Sequence, residues 1–363
     1  MNRRGFLRLS GAAAASLVLP IPRLAGAQAA GAPRWRAFEV TTQVEVLRPT
    51  GACRVWVPLP LAAETAFQKP LSNSWDAPGG HVRLAQGARY DVTMVAAEWT
   101  QGVKPLLQVR SKVSLRDFSV DFAARPGSQT LDPASRALWT APTRLLPTDG
   151  LVLSTAREAT LGVKGDVETA RALYSWVCDN AFRDPKVRGC GLGDVHSMLA
   201  THSLGGKCAD INALFVSLAR ALGIPARDAY GVRVAESQRG YKALGKAGDV
   251  TKAQHCRAEF FAEGHGWIPV DPGDVRKVIL EEPPGNLLPD DPKVMAARSF
   301  LFGNWEGNWM AYNYGHDVAL PGSRQTSVPF LMYPEAETAD GLLDCLDPAN
   351  FRYTLTSREL SVS

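Results

Sequence analysis

The feature that most constrains the fold is an apolar helical stretch that begins directly after a cysteine. In LGGKCADINALFVSLARALGIPARDAYG, apolar residues recur with helical spacing, at Ile211, Leu214, Phe215, Leu218 and Leu222. This spacing predicts a helix with one buried face. Gly223 followed by Pro225 is typical of a helix end, and the preceding glycine pair gives the backbone freedom before the start. Cys208 is therefore predicted at or near the helix N-terminus.

A cysteine in that position has a chemical advantage. Unpaired N–H groups and the helix dipole favour the thiolate, which is the nucleophilic form. The backbone N–H of Cys208 is also suited to hold an oxyanion. A small buried cysteine, or one half of a disulfide, would fit the same segment.

A second segment, KAQHCRAEFFAEGHGWIPVDPGD, is typical of two strands joined by a glycine-containing turn. His255 lies on the first strand, and Asp271 ends the second. A turn with an odd number of residues brings the two side chains to one face. A five-residue loop over 262–266, with Phe261 paired to Trp267, would leave Asp271 diagonal to His255, whereas an even loop would separate them.

Cys208, His255 and Asp271 are the residue types of a cysteine triad. The imidazole accepts the thiol proton and later donates it to a leaving amine, while the carboxylate orients the ring. A structural histidine and a turn aspartate would fit the same pattern. Weaker candidates are the other-face thiol Cys256, the histidines His265 and His316, the rival carboxylate Glu259, and His196 and His202 as oxyanion donors.

The motifs GGKCADxNALF, RALGIPAR, HxxxE and GWIPVDP, taken together, resemble the transglutaminase-like superfamily of papain-like cysteine enzymes over about 190–275. The resemblance implies Cys208 as nucleophile, His255 as base and Asp271 as third member. It implies an α+β fold in which the helix bearing the cysteine packs on an antiparallel sheet bearing His and Asp. One departure is Arg257, where the family commonly has an aromatic residue, so a different substrate wall is expected.

The expected reaction is thiol-dependent acyl transfer on a peptide or protein amide, with water or an amine as acceptor. The alternative is a non-catalytic envelope protein that retains the fold for peptide binding or for assembly, which predicts a buried or disulfide-bonded Cys208. A disulfide-active redox protein is disfavoured because Cys208 has no resolving cysteine close in sequence. No cofactor is expected, since the chain has neither a C-x-x-C zinc motif nor an EF-hand loop.

Residues 1–27 have the features of a twin-arginine export signal. Arg3 and Arg4 precede an apolar run that is short for a membrane span, and a small-residue cleavage site follows. We therefore expect a periplasmic or otherwise exported protein with no stable membrane anchor after cleavage. The signal carries the whole formal charge of +4, so the charge balance gives no indication of nucleic-acid binding. The oligomeric state stays open.

The remaining chain is divided by composition. Alternating apolar residues over 34–122 predict a β-sandwich-like domain. The segment with WVPLP also resembles the β-rich domain that precedes the catalytic domain in exported bacterial members of the superfamily. A Pro- and Ser-rich stretch over 123–150 predicts a linker before the catalytic domain at 151–290. Residues 291–363 are expected to pack on that domain as an extension. Their aromatic segment FLFGNWEGNWMAYNYGH would either pack in the core, which we favour, or line a peptide cleft.

Overall fold

The computed structural model describes residues 34–87, 89–325 and 327–361. The predicted export signal lies outside these ranges. Within them, no helix combines the length and the hydropathy that crossing a bilayer would require.

The first part of the described chain is built of strands because apolar side chains recur at every second position. In β1 every second side chain from Phe38 to Val46 is buried, while the side chains that alternate with them are half-buried or exposed. This alternation confirms the predicted period of two. The strands here are β1 (Arg36–Val46), β2 (Cys53–Pro58), β3 (Gln68–Asp76), β4 (His81–Gln86), β5 (Thr93–Trp99), β6 (Leu106–Leu115) and β7 (Phe118–Ser119).

The middle of the chain alternates helices and strands. The segment predicted as a linker contains the first helix, whose N-terminus is capped by the side chain of Asp132. The elements are α1 (Pro133–Thr140), α2 (Gly150–Ala159), α3 (Asp166–Asn180), β8 (Phe182–Arg183), α4 (Val195–Ala200), β9 (Gly205–Gly206), α5 (Cys208–Ala221), β10 (Ala226–Arg233), β11 (Gly248–Asp249), β12 (Gln254–Ala262), β13 (Gly266–Val270) and α6 (Pro272–Glu281).

The last part of the chain returns to both halves of the fold. Its elements are α7 (Pro292–Phe300), β14 (Asn304–Trp305), β15 (Trp309–Asn313), β16 (Glu335–Thr338), β17 (Gly341–Leu342) and β18 (Phe351–Leu360). Strand β15 joins the sheet that carries His255, whereas β16 pairs with β2 and β18 pairs with β1. The domain limits near 122, 150 and 290 stay predictions, but the residues after 291 clearly contribute to both sheet systems.

Two five-stranded sheets form the sandwich, in the orders β11-β18-β1-β6-β3 and β17-β16-β2-β5-β4. Apolar side chains from β1 and β6 share one buried core with those from β2 and β5, so the sheets face each other. The catalytic half has a four-stranded antiparallel sheet, β13-β12-β10-β15. Helices α2, α3, α5 and α6 contribute to a second core with this sheet. This is the α+β, transglutaminase-like fold that the sequence predicts.

The aromatic segment after residue 300 packs in the interior. Trp305 and Trp309 are both 1% exposed, and their rings lie with centroids 5.5 Å apart. Phe67 from the sandwich half contacts Trp305 edge-on at 5.0 Å between centroids. Packing, rather than a cleft wall, is therefore the role of this segment.

Helix α5 places the cysteine as the sequence predicts. The helix begins at Cys208 and ends at Ala221, and Gly223 has a φ of +79° that suits a glycine after a helix end. Its side chains are buried almost without interruption from Cys208 to Arg220 because it runs through the catalytic half between sheet and helices. The thiol therefore has a fixed position.

Candidate active site

The start of α5 offers a backbone donor beside the thiol. Cys208 is the first helical residue, so its N–H has no acceptor within the helix. No other acceptor for it is found among the described residues. This N–H is the group predicted to hold an oxyanion, and it is free to do so.

Asp210 holds the helix start against the preceding loop. Its carboxylate accepts from the N–H groups of Lys207 at 2.9 Å, Leu192 at 3.0 Å and Gly193 at 2.9 Å. At Gly191, which has a φ of +90°, an added Cβ would lie 1.8 Å from the Asp210 carboxylate. Only glycine allows this close approach of the loop backbone to the Asp210 carboxylate.

The strand register confirms the prediction that brings His255 and Asp271 together. Phe261 pairs with Trp267, and Ala262 pairs with Gly266, so the turn has three residues rather than the five expected. Both loop lengths are odd, so either one places the side chains of His255 and Asp271 on the same face of the hairpin. The Nε2 atom of His255 lies 2.7 Å from Oδ2 of Asp271.

Asn212 connects the helix to the third member of the group. It lies four residues after Cys208, and its amide nitrogen donates to Oδ1 of Asp271 at 3.3 Å and to the carbonyl of Cys256 at 2.8 Å. Its Oδ1 accepts from the N–H of Gly273 at 3.2 Å. Sequence reasoning missed this residue. The available signal was an amide side chain among apolar neighbours, one helical turn after the cysteine.

Replacing Asn212 with alanine is expected to lower the free energy of unfolding by about 1–3 kcal/mol, because buried polar groups lose their partners. It should also raise the pH at which Cys208 becomes reactive, since Asp271 would orient His255 less well. Thermal unfolding and the pH profile of iodoacetamide labelling measure these two effects. Asn180→Ala, at an exposed helix end, is the matched control. Equal behaviour of the two variants would contradict the positioning role.

A second carboxylate and two guanidinium groups complete the site. Oδ1 of Asp274 lies 3.3 Å from Nε2 of His255 and 2.6 Å from the Arg233 guanidinium. Nε of Arg257 lies 3.8 Å from Oδ2 of Asp271. Arg257 is 2% exposed and packs over Trp309, so it faces inward. The expectation that it alters a substrate wall is wrong, because it helps to neutralise a buried carboxylate instead.

The trio of His255, Asp271 and Asp274 has donor atoms within 4.8 Å of one another, as metal ligands would. Each carboxylate, however, already has a guanidinium neighbour, Arg233 or Arg257. A divalent cation would have to enter beside two buried cations, which is electrostatically unfavourable. The residues therefore fit an ion network better than a metal site.

The charges around His255 favour its protonated form. Burial and Arg233 lower the pKa of His255, but Asp274 and Asp271 raise it, with a net result of about 9. Burial raises the pKa of Asp274, yet Arg233 and His255 hold it well below its ordinary value. The pKa of Asp271 is raised, first by burial and then by Asp274. The imidazolium is thus the stable state near neutral pH.

The thiol of Cys208 shows the complementary shift. The neighbouring thiols of Cys190 and Cys256, together with His255, bring the pKa of Cys208 well below its ordinary value despite burial. Since Nε2 of His255 faces Asp271, Nδ1 is the nitrogen left to exchange a proton with the thiol. Both shifts favour a thiolate–imidazolium pair beside a charged network of Arg233, Arg257, Asp271 and Asp274.

Apart from Cys256, whose side chain belongs to the same apolar cluster as Cys208, the weaker candidates lie elsewhere. Glu259 pairs with Arg227 at 2.7 Å and not with His255. His265 lies in the three-residue turn against Phe122, and His316 forms its own buried pair with Asp228 at 3.2 Å. The side chains of two further histidines, His196 and His202, are exposed.

The last part of the chain packs beside the thiol. Cys208 is 4% exposed and shares one apolar cluster with Met332 and Tyr333. The thiol of Cys256 lies 3.9 Å from the sulfur of Met332. Access to Cys208 is therefore narrow.

Two sequence comparisons relate this chain to known proteins. A family model described as the transglutaminase-like superfamily matches residues 153–272, the range that contains all three predicted site residues. A Haemophilus influenzae protein, itself uncharacterised, is 31% identical over 344 residues, which cover 89% of this chain and 91% of the relative.

One solved structure shows the same fold at low identity, and a second is a weaker match. A Cytophaga hutchinsonii protein proposed to be a cysteine protease has a TM-score of 0.55 at 14% identity, covering 91% of this chain and 92% of the other. The periplasmic domain of TgpA from Pseudomonas aeruginosa has a TM-score of 0.36 at 15% identity, covering 67% of this chain and 88% of the other. The chain belongs to the transglutaminase-like superfamily.

Proposed function

We propose that this protein is a cysteine enzyme that transfers or hydrolyses acyl groups of peptide or protein amides through a thioester on Cys208. The observation that carries the proposal is the buried His255–Asp271 contact of 2.7 Å beside a helix-start cysteine whose pKa is lowered. A structural cysteine has no need of an oriented imidazolium next to it.

In the first half of the reaction, the Cys208 thiolate attacks the carbonyl carbon of the amide. The negative charge moves to the carbonyl oxygen, where the backbone N–H of Cys208 donates to it. His255 in its protonated form then gives a proton to the departing amine or ammonia. The product is an acyl thioester on Cys208.

In the second half, His255 acts as the base. It takes a proton from water or from an amine as this acceptor attacks the thioester, and the thiolate leaves. Asp271 keeps the imidazole ring of His255 in the same orientation in both halves of the reaction. Asn212 holds Asp271 in place through its hydrogen bond, and Asp274 contacts Nε2 of the ring. Water as acceptor gives hydrolysis, whereas an amine gives transamidation.

Export to the periplasm is part of the proposal. It is supported by the paired arginines and the apolar run within residues 1–27. Peptide segments of envelope proteins are then the class of substrate within reach.

The ionic state of Cys208 can be tested without a substrate. Iodoacetamide should label Cys208 at a pH well below the ordinary thiol pKa of about 8.5, because the thiolate is already present. Labelling by pH, followed by peptide mapping, compares Cys208 with Cys345, a half-buried thiol whose pKa is raised by burial.

His255→Gln is the informative variant in this assay. It keeps a polar side chain but removes the charge, so labelling of Cys208 should require a higher pH. Slow labelling of all cysteines alike, or an unchanged profile in the variant, would count against the ion pair.

One observation favours the non-catalytic alternative, a peptide-binding or assembly protein. Cys208 is buried, with its sulfur beside the residues of the last part of the chain. That reading requires an unreactive thiol and therefore predicts labelling only after unfolding. The same labelling experiment separates it from the catalytic proposal.

A further inference from the structure

A second cysteine lies next to the nucleophile in space, although it is 18 positions away in sequence. The N–H of Ala209 donates to the carbonyl oxygen of Cys190 at 2.9 Å. Standard backbone geometry then limits the separation of the Cys190 and Cys208 Cα atoms to about 8 Å. Disulfides span Cα separations of about 4.4–6.8 Å, so bridging requires at most a small adjustment.

The side chain of Cys190 points into the site. Its thiol donates to the carbonyl of Gln254 at 3.4 Å, and Gln254 directly precedes His255. Cys190 and Cys208 are 6% and 4% exposed and belong to the same apolar cluster. The Cys190 thiol thus lies against the backbone just before His255, within the apolar cluster that also contains Cys208.

The third thiol of the cluster is less able to move. Cys256 lies within β12, where it pairs with Tyr230, and its carbonyl accepts from Asn212. Cys190 lies in the loop between β8 and α4, flanked by Gly189 and Gly191. A loop residue can shift by the small distance that bridging requires, whereas a paired strand residue cannot.

We propose that Cys190 and Cys208 form a reversible redox pair, in which a peroxide oxidises Cys208 and Cys190 resolves the product to a disulfide. The Cys208 thiolate attacks one peroxide oxygen, the O–O bond breaks, and water or an alcohol leaves after protonation. The resulting sulfenic acid on Cys208 is attacked by the Cys190 sulfur, which forms the S–S bond and releases water. Two thiols are oxidised and one peroxide is reduced.

The disulfide blocks the Cys208 nucleophile reversibly. Sulfinic and sulfonic acids on Cys208 would be permanent, whereas a disulfide is reversed by a dithiol. The inference shares the reactive Cys208 thiolate with the proposed function, but its readout needs no amide substrate. Cys190 lies close to Cys208 in space, so it can act as the resolving cysteine that the nearby sequence lacks.

Treatment of the protein with hydrogen peroxide, followed by non-reducing peptide mapping, tests this pair. The expected result is one linked peptide joining Cys190 to Cys208, with the loss of two alkylatable thiols that dithiothreitol restores. Cys190→Ser should instead accumulate sulfinic or sulfonic acid on Cys208. Cys53→Ser, at a buried thiol in the sandwich, should still form the link.

Three results would overturn the pair: a link from Cys208 to Cys256, equal over-oxidation of Cys208 in wild type and Cys190→Ser, or a Cys208 that hydrogen peroxide leaves reduced. The linked peptide is read in the wild-type protein, so the conclusion does not require Cys190→Ser to fold. An acyl-enzyme without the disulfide would overturn this inference alone. A disulfide without amide turnover would contradict only the proposed function.

Discussion

Replacing Cys208 with alanine is expected to reduce release of ammonia or amine from amide substrates by at least about 10⁴-fold, because the covalent step has no substitute in the site. The fold should remain intact, since alanine is apolar and close in size to the buried thiol. The assay uses glutamine-containing peptides with a primary amine acceptor, with circular dichroism as the check on folding.

Cys53→Ala is the matched control for this variant. It also removes a buried thiol, one whose pKa is raised to about 12 by burial, but it lies in the sandwich core. It should retain full turnover. Comparable turnover in Cys208→Ala and Cys53→Ala would exclude a thioester on Cys208.

Replacing Arg233 with methionine is expected to lower the free energy of unfolding by about 3–5 kcal/mol, because it leaves a buried carboxylate without its counterion. The guanidinium of Arg233 contacts Asp274 at 2.6 Å and the carbonyl of Leu244 at 2.8 Å, with both charged side chains at most 3% exposed. Loss of Arg233 leaves Asp274 with only the His255 imidazolium close by, while Asp271 keeps Arg257 as a neighbour. Denaturant-induced unfolding measures the effect.

The control for Arg233 is an ion pair of the same type at the surface. Arg188 contacts Asp344 at 2.8 Å with side chains 66% and 47% exposed. Arg188→Met should change stability by less than about 1 kcal/mol, because solvent screens exposed pairs. A similarly small change in Arg233→Met would show that the buried network does not hold the site together.

Raising the pH is expected to remove the stabilisation that protonated His255 contributes to the fold. Its pKa is raised in the folded protein to about 9, so its protonated form stabilises the fold fully below its ordinary pKa of about 6.5. This contribution is lost as the pH rises through about 9. The same deprotonation removes the acid that assists the leaving amine.

Local patterns were enough to predict the positions of the triad residues along the chain. Helical periodicity and the Gly-x-Pro end signal placed Cys208 at the start of α5, whereas alternation on two strands left the meeting of His255 and Asp271 conditional on an odd turn, which the structure has. Both signals operate over short stretches of sequence. The loop length was less well determined, because three and five residues give the same parity.

Partners distant in sequence were not predictable in this way. Asp274 looks like an ordinary first-turn helix residue, and nothing local identifies Arg233 as its partner. Periodicity indicates which side chains are buried but not what they meet. The same limit applies to Cys190, whose approach to Cys208 depends on the hydrogen bond to Ala209.

Strand pairing in the sandwich is a second case in which short-range patterns do not identify a partner that is distant in sequence. Strand β18 pairs with β1 along its whole length, with Phe351 opposite Val46 and Leu360 opposite Ala37. Alternation marks both as strands, but it carries no information about which strand is the neighbour. The expected extension on the catalytic half therefore describes only part of what residues 291–363 do.

The central claim is an acyl thioester on Cys208, and trapping that species tests it most directly. The protein is mixed with glutamine-containing peptides, quenched in acid and mapped by mass spectrometry. The account predicts an acyl adduct on Cys208 that hydroxylamine releases and that Cys208→Ala lacks. Product formation without any adduct, at the same rate in Cys208→Ala, would contradict it.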